Sequence, residues 1–176
     1  MAESALAAGD DEEAPYPPAA ERFRKALERA RLTASELARR SGVEETLYWD
    51  LELYDSEVFD CADIAHLPEI ARLLQTPLMH LLFGEQPREM PALVSYAEVS
   101  ARVREEAARR QGGIGALGDA VGWDLDDLVR DPEAIGQLNL VGLYDVCRAV
   151  GLDWVGVLAW AETNRSSEKT QHGRYT

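Results

Sequence analysis

Gly113, Gly115 and Gly118 stand in the spacing G-x-G-x-x-G within GIGALG, the pattern that lets a backbone approach the pyrophosphate of a dinucleotide. That chemistry needs a strand before the glycines, whereas an arginine-rich helical stretch, REEAARRQ, precedes them here. The glycines are therefore expected to form the turn into a helix. For metal chemistry, His66, His80 and His172 lack partners at ligand spacing, and Cys61 and Cys147 form no CxxC or Cys/His pattern. Both cysteines read as small buried hydrophobes. Ser and Asp are plentiful, but no nucleophile elbow and no paired general acid and base can be placed. The expectation is a chain that is not an enzyme and that uses no cofactor and no metal.

The residues that remain for function are carboxylates. GVEETLYWDLELYD, at 42–55, holds five acids and no Lys or Arg, and WDLDDLVRD repeats the theme with Asp124, Asp126 and Asp127 against Arg130 alone. The whole chain carries 32 Asp and Glu against 18 Lys and Arg, a formal charge of −14. That sign repels the phosphate backbone of nucleic acid and an acidic membrane surface, and it would speed encounter with a basic protein. A solubility role for the same acids is the competing reading. Trp49 and Tyr54 among the acids favour an interface, since aromatic side chains are enriched at binding hot spots, while Tyr48 reads as core.

The elements that must position these acids are helices. Its 176 residues, 46% hydrophobic, suffice for one domain or two small ones. Residues 1–20 combine an acidic run with three prolines and read as a flexible leader; residues 161–176 are polar and read as a loose tail. Between them apolar residues recur at helical spacing, with no period-two run bounded by hairpin turns. ERFRKALERARL places Phe23, Ala26, Leu27 and Ala30 on one face, and TASELARRSG opens on a Ser/Thr cap and closes at Gly42. Leu47, Tyr48 and Leu51 point inward from the next stretch. Ile64, Leu67, Ile70, Ala71 and Leu74 form a stripe; Pro68 is tolerable there only in the first turn, and Pro77 is expected at the first position of the following helix. No apolar run is long enough for a membrane span and no signal sequence is apparent, so a cytoplasmic location is the default.

LTASELARRSGVEETLYWDLE followed by LPEIARLLQTPLMHLL resembles the Xre or lambda-repressor-like helix-turn-helix family over residues 21–84. The resemblance rests on the Leu37-Ala38 pair, the Ser41-Gly42-Val43 turn, Leu51-Glu52, and the apolar frame of Leu67 to Leu82. A second copy follows. Arg22, Arg24, Arg29, Leu37 and Gly42 match Arg102, Arg104, Arg109, Leu117 and Gly122 at an offset of 80, while LYDVCRAVGLDWVGVL mirrors LPEIARLLQTPLMHLL at an offset of 76. The expected architecture is all-α, with two repeated five-helix lobes at 21–84 and 96–160 joined by a hinge at 85–95. Trp123, Trp154 and Trp160 would close either the second core or a contact between lobes.

In the family, the second and third helices offer polar or basic side chains to phosphates and base edges. Here Ala34 occupies the phosphate-contacting position of the second helix, and Glu44, Glu45 and Asp50 occupy the third, where Thr46 alone looks conventional. The resemblance therefore implies a regulatory or protein-binding module whose DNA-reading surface has been replaced by acid. It would neutralise a basic toxin or antagonise a DNA-binding protein through Glu44, Glu45, Trp49, Asp50, Tyr54, Asp55, Asp124, Asp126 and Asp127. The alternative is an ordinary Xre-type transcription regulator that contacts DNA through Arg22, Arg24, Lys25, Arg39, Arg40 and Thr46. Arginines on short helices more often pair with neighbouring acids such as Glu21, Glu28 and Glu36.

Overall fold

The computed structural model describes residues 19–45, 48, 51, 54, 57–84 and 91–172. Every regular element among them is a helix, as the apolar periodicity requires. Helix α1 (Ala20–Ala30) buries Phe23, Ala26 and Leu27, and the chain turns at Arg31 in the left-handed region. Thr33 caps α2 (Ala34–Ser41) by accepting from the Glu36 amide at 3.2 Å, and Gly42 closes it at φ 77°. Of the stretch expected to form the third helix, Glu45, Tyr48 and Leu51 have helical backbone, and Tyr48 and Leu51 are buried. Thr46, Leu47, Trp49, Asp50 and Asp55 lie outside the described residues. Helix α3 (Glu57–Asp60) contributes Val58 and Phe59 to the core.

Helix α4 (Leu67–Leu73) carries Pro68 in its first turn, where the missing N–H breaks no helical hydrogen bond. Pro77 differs from expectation by one position, since it is the residue before α5 (Leu78–Phe83) rather than its first. The reason is tertiary: the Leu78 amide, the first orphan donor of α5, donates to the Glu162 carboxylate at 2.9 Å.

The second half begins with α6 (Tyr96–Arg109), opened by a capping box between Ser95 and Glu98. It continues through α7 (Gly113–Val121), α8 (Asp126–Arg130), a 3-10 segment (Pro132–Gln137), α9 (Leu140–Val150) and α10 (Trp154–His172). Helix α10 runs into the stretch read as a tail, and Ala161 is buried. No helix among the described residues is long and apolar enough to cross a membrane.

One continuous core joins the two halves, and a single buried cluster runs from Ala19 to Ala161. Backbone bonds cross the junction, with the Ile64 amide donating to Leu138 O at 2.9 Å and the Ala65 amide to Gly136 O at 2.8 Å. Asn139, which caps α9 with its side-chain oxygen, also donates its amide to Asp60 O. Of the stretch expected as a hinge, residues 85–90 lie outside the described residues, while 91–95 run against α10, the Val94 amide donating to Gly156 O at 3.1 Å. The tryptophans divide. The Trp123 ring covers Gly142 inside the second half, whereas Trp154 meets Phe83 edge-on across the halves with centroids 5.6 Å apart. Trp160 packs on Tyr96.

Cys147 is buried as expected, but Cys61 is exposed, because it falls in the turn just past α3 and not on an inward face. Burial raises the Cys147 thiol from 9.0 to about 12, helped by the negative charge of Asp153. Burial likewise raises the Tyr48 phenol from 10.0 to about 12, partly opposed by its hydrogen bond with Ser41. Both groups ionise less readily folded than unfolded. Their contribution to stability is therefore fully present below pH 9.0 for Cys147 and below 10.0 for Tyr48, and is lost as pH rises towards about 12. A series of denaturant midpoints across this range is expected to fall on the alkaline side, and the fall is expected to be shallower in Cys147→Ala than in the parent chain.

Candidate protein-binding surface

Helix α7, the Gly122 turn and the start of α8 enclose a groove of about 490 Å³. Its apolar walls come from Ile114 and Leu125, and its acid comes from Asp119, Asp124 and Asp126. Gly118 lies where α7 meets the following turn, and a Cβ there would stand 2.7 Å from Trp123 O. Gly115 faces open space. Of the three glycines of GIGALG, Gly113 begins α7 and Gly115 and Gly118 lie inside it, and Gly118 alone is needed for close packing. No strand precedes them among the described residues, so the βαβ frame of a dinucleotide site is missing there.

The acids are held by local hydrogen bonding and by the helix end. Asp124 accepts from the Asp126 amide at 3.0 Å, which satisfies one orphan donor of α8. Asp126 and Asp127 occupy its first turn, where the positive end of the helix dipole favours them. They face Arg130 at 3.9 and 3.7 Å. All three side chains are at least half exposed, so these pairs neutralise little of the local field. Arg104 donates to Val129 O of the same helix, α8. Asp119 joins this acid although it belongs to the preceding helix, which no sequence periodicity indicates.

The acids of the first half form a separate group. Glu44 and Glu45 are exposed beyond the α2 turn, and Glu45 accepts from the Ser35 hydroxyl. Tyr54 is 56% exposed. No hydrogen bond or ion pair links these residues to Asp124, Asp126 or Asp127 among the described residues. Among the described residues the structure thus presents two acidic patches, and the second lines a groove.

The basic residues of the alternative reading are mostly engaged. Arg22 donates Nε to Leu81 O at 2.9 Å and a terminal nitrogen to Leu82 O, so it caps the C-terminal end of α5. Lys25 pairs with Glu21 at 2.6 Å, holding that carboxyl below its usual range, and Arg40 pairs with Glu36 at 3.0 Å. Arg24 and Arg39 are exposed. The arginine matches between the halves do not survive as contacts: Arg102, the counterpart of Arg22, pairs with Glu105 on its own helix. Long polar side chains take whatever partner is near, so identity of type did not imply identity of role. Among the described residues no group of three or more His, Cys, Asp and Glu could hold a metal. Compared with family models, curated proteins and solved structures, the chain matches none of them.

Proposed function

We propose that the chain is a non-catalytic regulatory or protein-binding module of tandem, degenerate Xre or lambda-repressor-like type, acting on a basic protein partner in the cytoplasm. The observation that carries this reading is the α7–α8 groove, an apolar trough rimmed by Asp119, Asp124 and Asp126. A lysine or arginine side chain matches it, offering an aliphatic stem to Ile114 and Leu125 and a cation to the rim. Phosphate does not, because each acid brought near it adds repulsion and releases no counterion.

Backbone geometry supports the tandem repeat. Gly42 and Gly122, 80 positions apart, both take left-handed conformations and donate to Ala38 O and Gly118 O, which are also 80 apart. Gln75 and Gly151, 76 apart, both have positive φ and donate to Arg72 O and Arg148 O. The next residues, Thr76 and Leu152, donate to Ala71 O and Cys147 O at 3.0 and 2.9 Å.

Affinity capture on the wild-type chain and on an Asp126→Lys, Asp127→Lys chain tests the reading. A basic protein retained by the first is expected to bind the second at least tenfold more weakly. In parallel, fluorescence anisotropy against sheared DNA at about 50 mM salt, which amplifies non-specific DNA affinity, is expected to show no binding. Saturable DNA binding that collapses as salt rises would replace this reading with the transcription-regulator alternative, for which the exposed Arg24 and Arg39 are the available contacts.

A further inference from the structure

Where the two halves meet they enclose a cavity of about 190 Å³. Pro68 of α4 lines it from the first half, and Tyr96, Trp160 and Ala161 line it from the second, with Glu133 and Asn164 at its edge. Pro68, Tyr96 and Ala161 are buried and Trp160 is half-buried, whereas Glu133 and Asn164 are exposed, so the cavity opens to solvent on its polar side. The fold fixes the walls. The Ala65 amide donates to Gly136 O at 2.8 Å across the junction, and a Cβ at Gly136 would stand 3.2 Å from Ala65 Cβ and 3.5 Å from the Tyr96 ring. Trp160 packs on Tyr96 with centroids 4.7 Å apart and planes inclined at 53°, and Asn164 donates to Trp160 O at 3.0 Å. Walls set in this way need little ordering when a ligand enters.

The chemistry of the lining selects the occupant. Glu133 is the one charged side chain of the cavity, and its carboxylate pairs with no cation among the described residues. A carboxylate at the mouth and a formal charge of −14 attract a cation and repel an anion. Two aromatic rings favour a cation over a neutral apolar group, because ring faces are electron-rich. The volume lies below the roughly 300–1,000 Å³ of drug-sized sites, so one side chain or one headgroup is the matching size. Guanidinium and unmodified ammonium groups carry several N–H donors. The Pro68, Trp160 and Ala161 side chains accept from none of them, and a buried donor without a partner is costly. An N-methylated ammonium carries its charge behind methyl groups, which suit apolar walls and ring faces. We propose that the cavity binds an N-methylated ammonium group, carried by a free quaternary amine or by a methylated lysine side chain. Trp160 and Tyr96 meet the methyl groups, and Glu133 supplies the opposite charge. This site is separate from the α7–α8 groove and stands or falls independently of it.

The test uses the full chain and tetramethylammonium chloride, with sodium chloride at equal ionic strength as the blank. Saturable shifts of the Trp160 indole N–H and the Ala161 amide are expected at millimolar probe and absent in the blank. Choline is expected to bind about tenfold more tightly than its uncharged tert-butyl analogue, since only the cation gains from the ring faces and the carboxylate. Glu133→Lys puts a cation at the exposed mouth and should weaken tetramethylammonium binding about tenfold while leaving the circular dichroism unchanged. Trp160→Leu should weaken it similarly, and Glu133→Lys decides the matter if Trp160→Leu does not fold. A peptide carrying trimethyllysine, titrated beside choline, separates the sources. Tighter binding of the peptide assigns a methylated protein segment and tighter binding of choline a free amine, and either supports the site. No saturable shift in the millimolar range, equal affinity for choline and its uncharged analogue, or undiminished binding in Glu133→Lys would overturn the proposal. So would an unmodified lysine peptide that binds as tightly as the trimethylated one.

Discussion

Phe23→Ala is expected to lower the unfolding free energy of the whole chain by about 3–5 kcal/mol, and to do so in a single transition. Phe23 is 1% exposed and is among the largest fully buried side chains, so its removal leaves a cavity that the surrounding helices can only partly fill. The loss is a large share of the 5–15 kcal/mol typical of a folded domain. Three of the four tryptophans, Trp123, Trp154 and Trp160, lie in the second half, whereas Phe23 belongs to the first. If one core joins the halves, tryptophan fluorescence and far-ultraviolet circular dichroism shift together in this variant. Leu143→Ala, at a fully buried site of α9, is expected to behave the same way with a loss of about 2–5 kcal/mol. A fluorescence midpoint left at the wild-type value in Phe23→Ala would mean that the halves unfold separately, and the continuous core would be wrong.

Gly156→Ala is expected to destabilise the chain by about 1–3 kcal/mol, although alanine is the better helix former by nearly 1 kcal/mol. A Cβ at this position would stand 2.2 Å from Ala92 O and 3.1 Å from Val94 Cγ2. The first of these is backbone, so residues 91–95 must lift from α10 and the bond from the Val94 amide to Gly156 O is lost. Gly115→Ala is the matched control. It is also helical, but its Cβ would meet nothing within 4 Å, so only the propensity gain applies and the chain is expected to become more stable by about 0.5–1 kcal/mol. Chemical denaturation of the pair separates the two terms. Equal stabilisation by both substitutions would mean that the 91–95 segment does not rest on α10.

The candidate surface was only partly legible. Asp124, Asp126 and Asp127 could be singled out because they crowd into one short segment, and all three are exposed. Asp119 could not, since its place beside them depends on how α7 turns into α8 at Gly122. Arg22 is the opposite case. Its position in a basic helical segment suggested a surface charge available to DNA, yet the fold spends it on carbonyls 59 and 60 residues away. The same lesson applies to Cys61, where a residue type usually buried falls in an exposed turn.

By itself the sequence determined the helices, the Thr33 cap, the stop at Gly42, the inward faces of α1 and α4, and the excess of acid. Those features depend on side chains within about one helical turn of each other, or on composition, and both are written locally. Only the tertiary structure decided that the halves share one core, that Glu162 caps the start of α5, that 91–95 lies along α10, and which charges line each cavity. These depend on pairings between residues far apart in the chain, selected by shape and by the need to satisfy buried backbone groups. No period in the sequence encodes them.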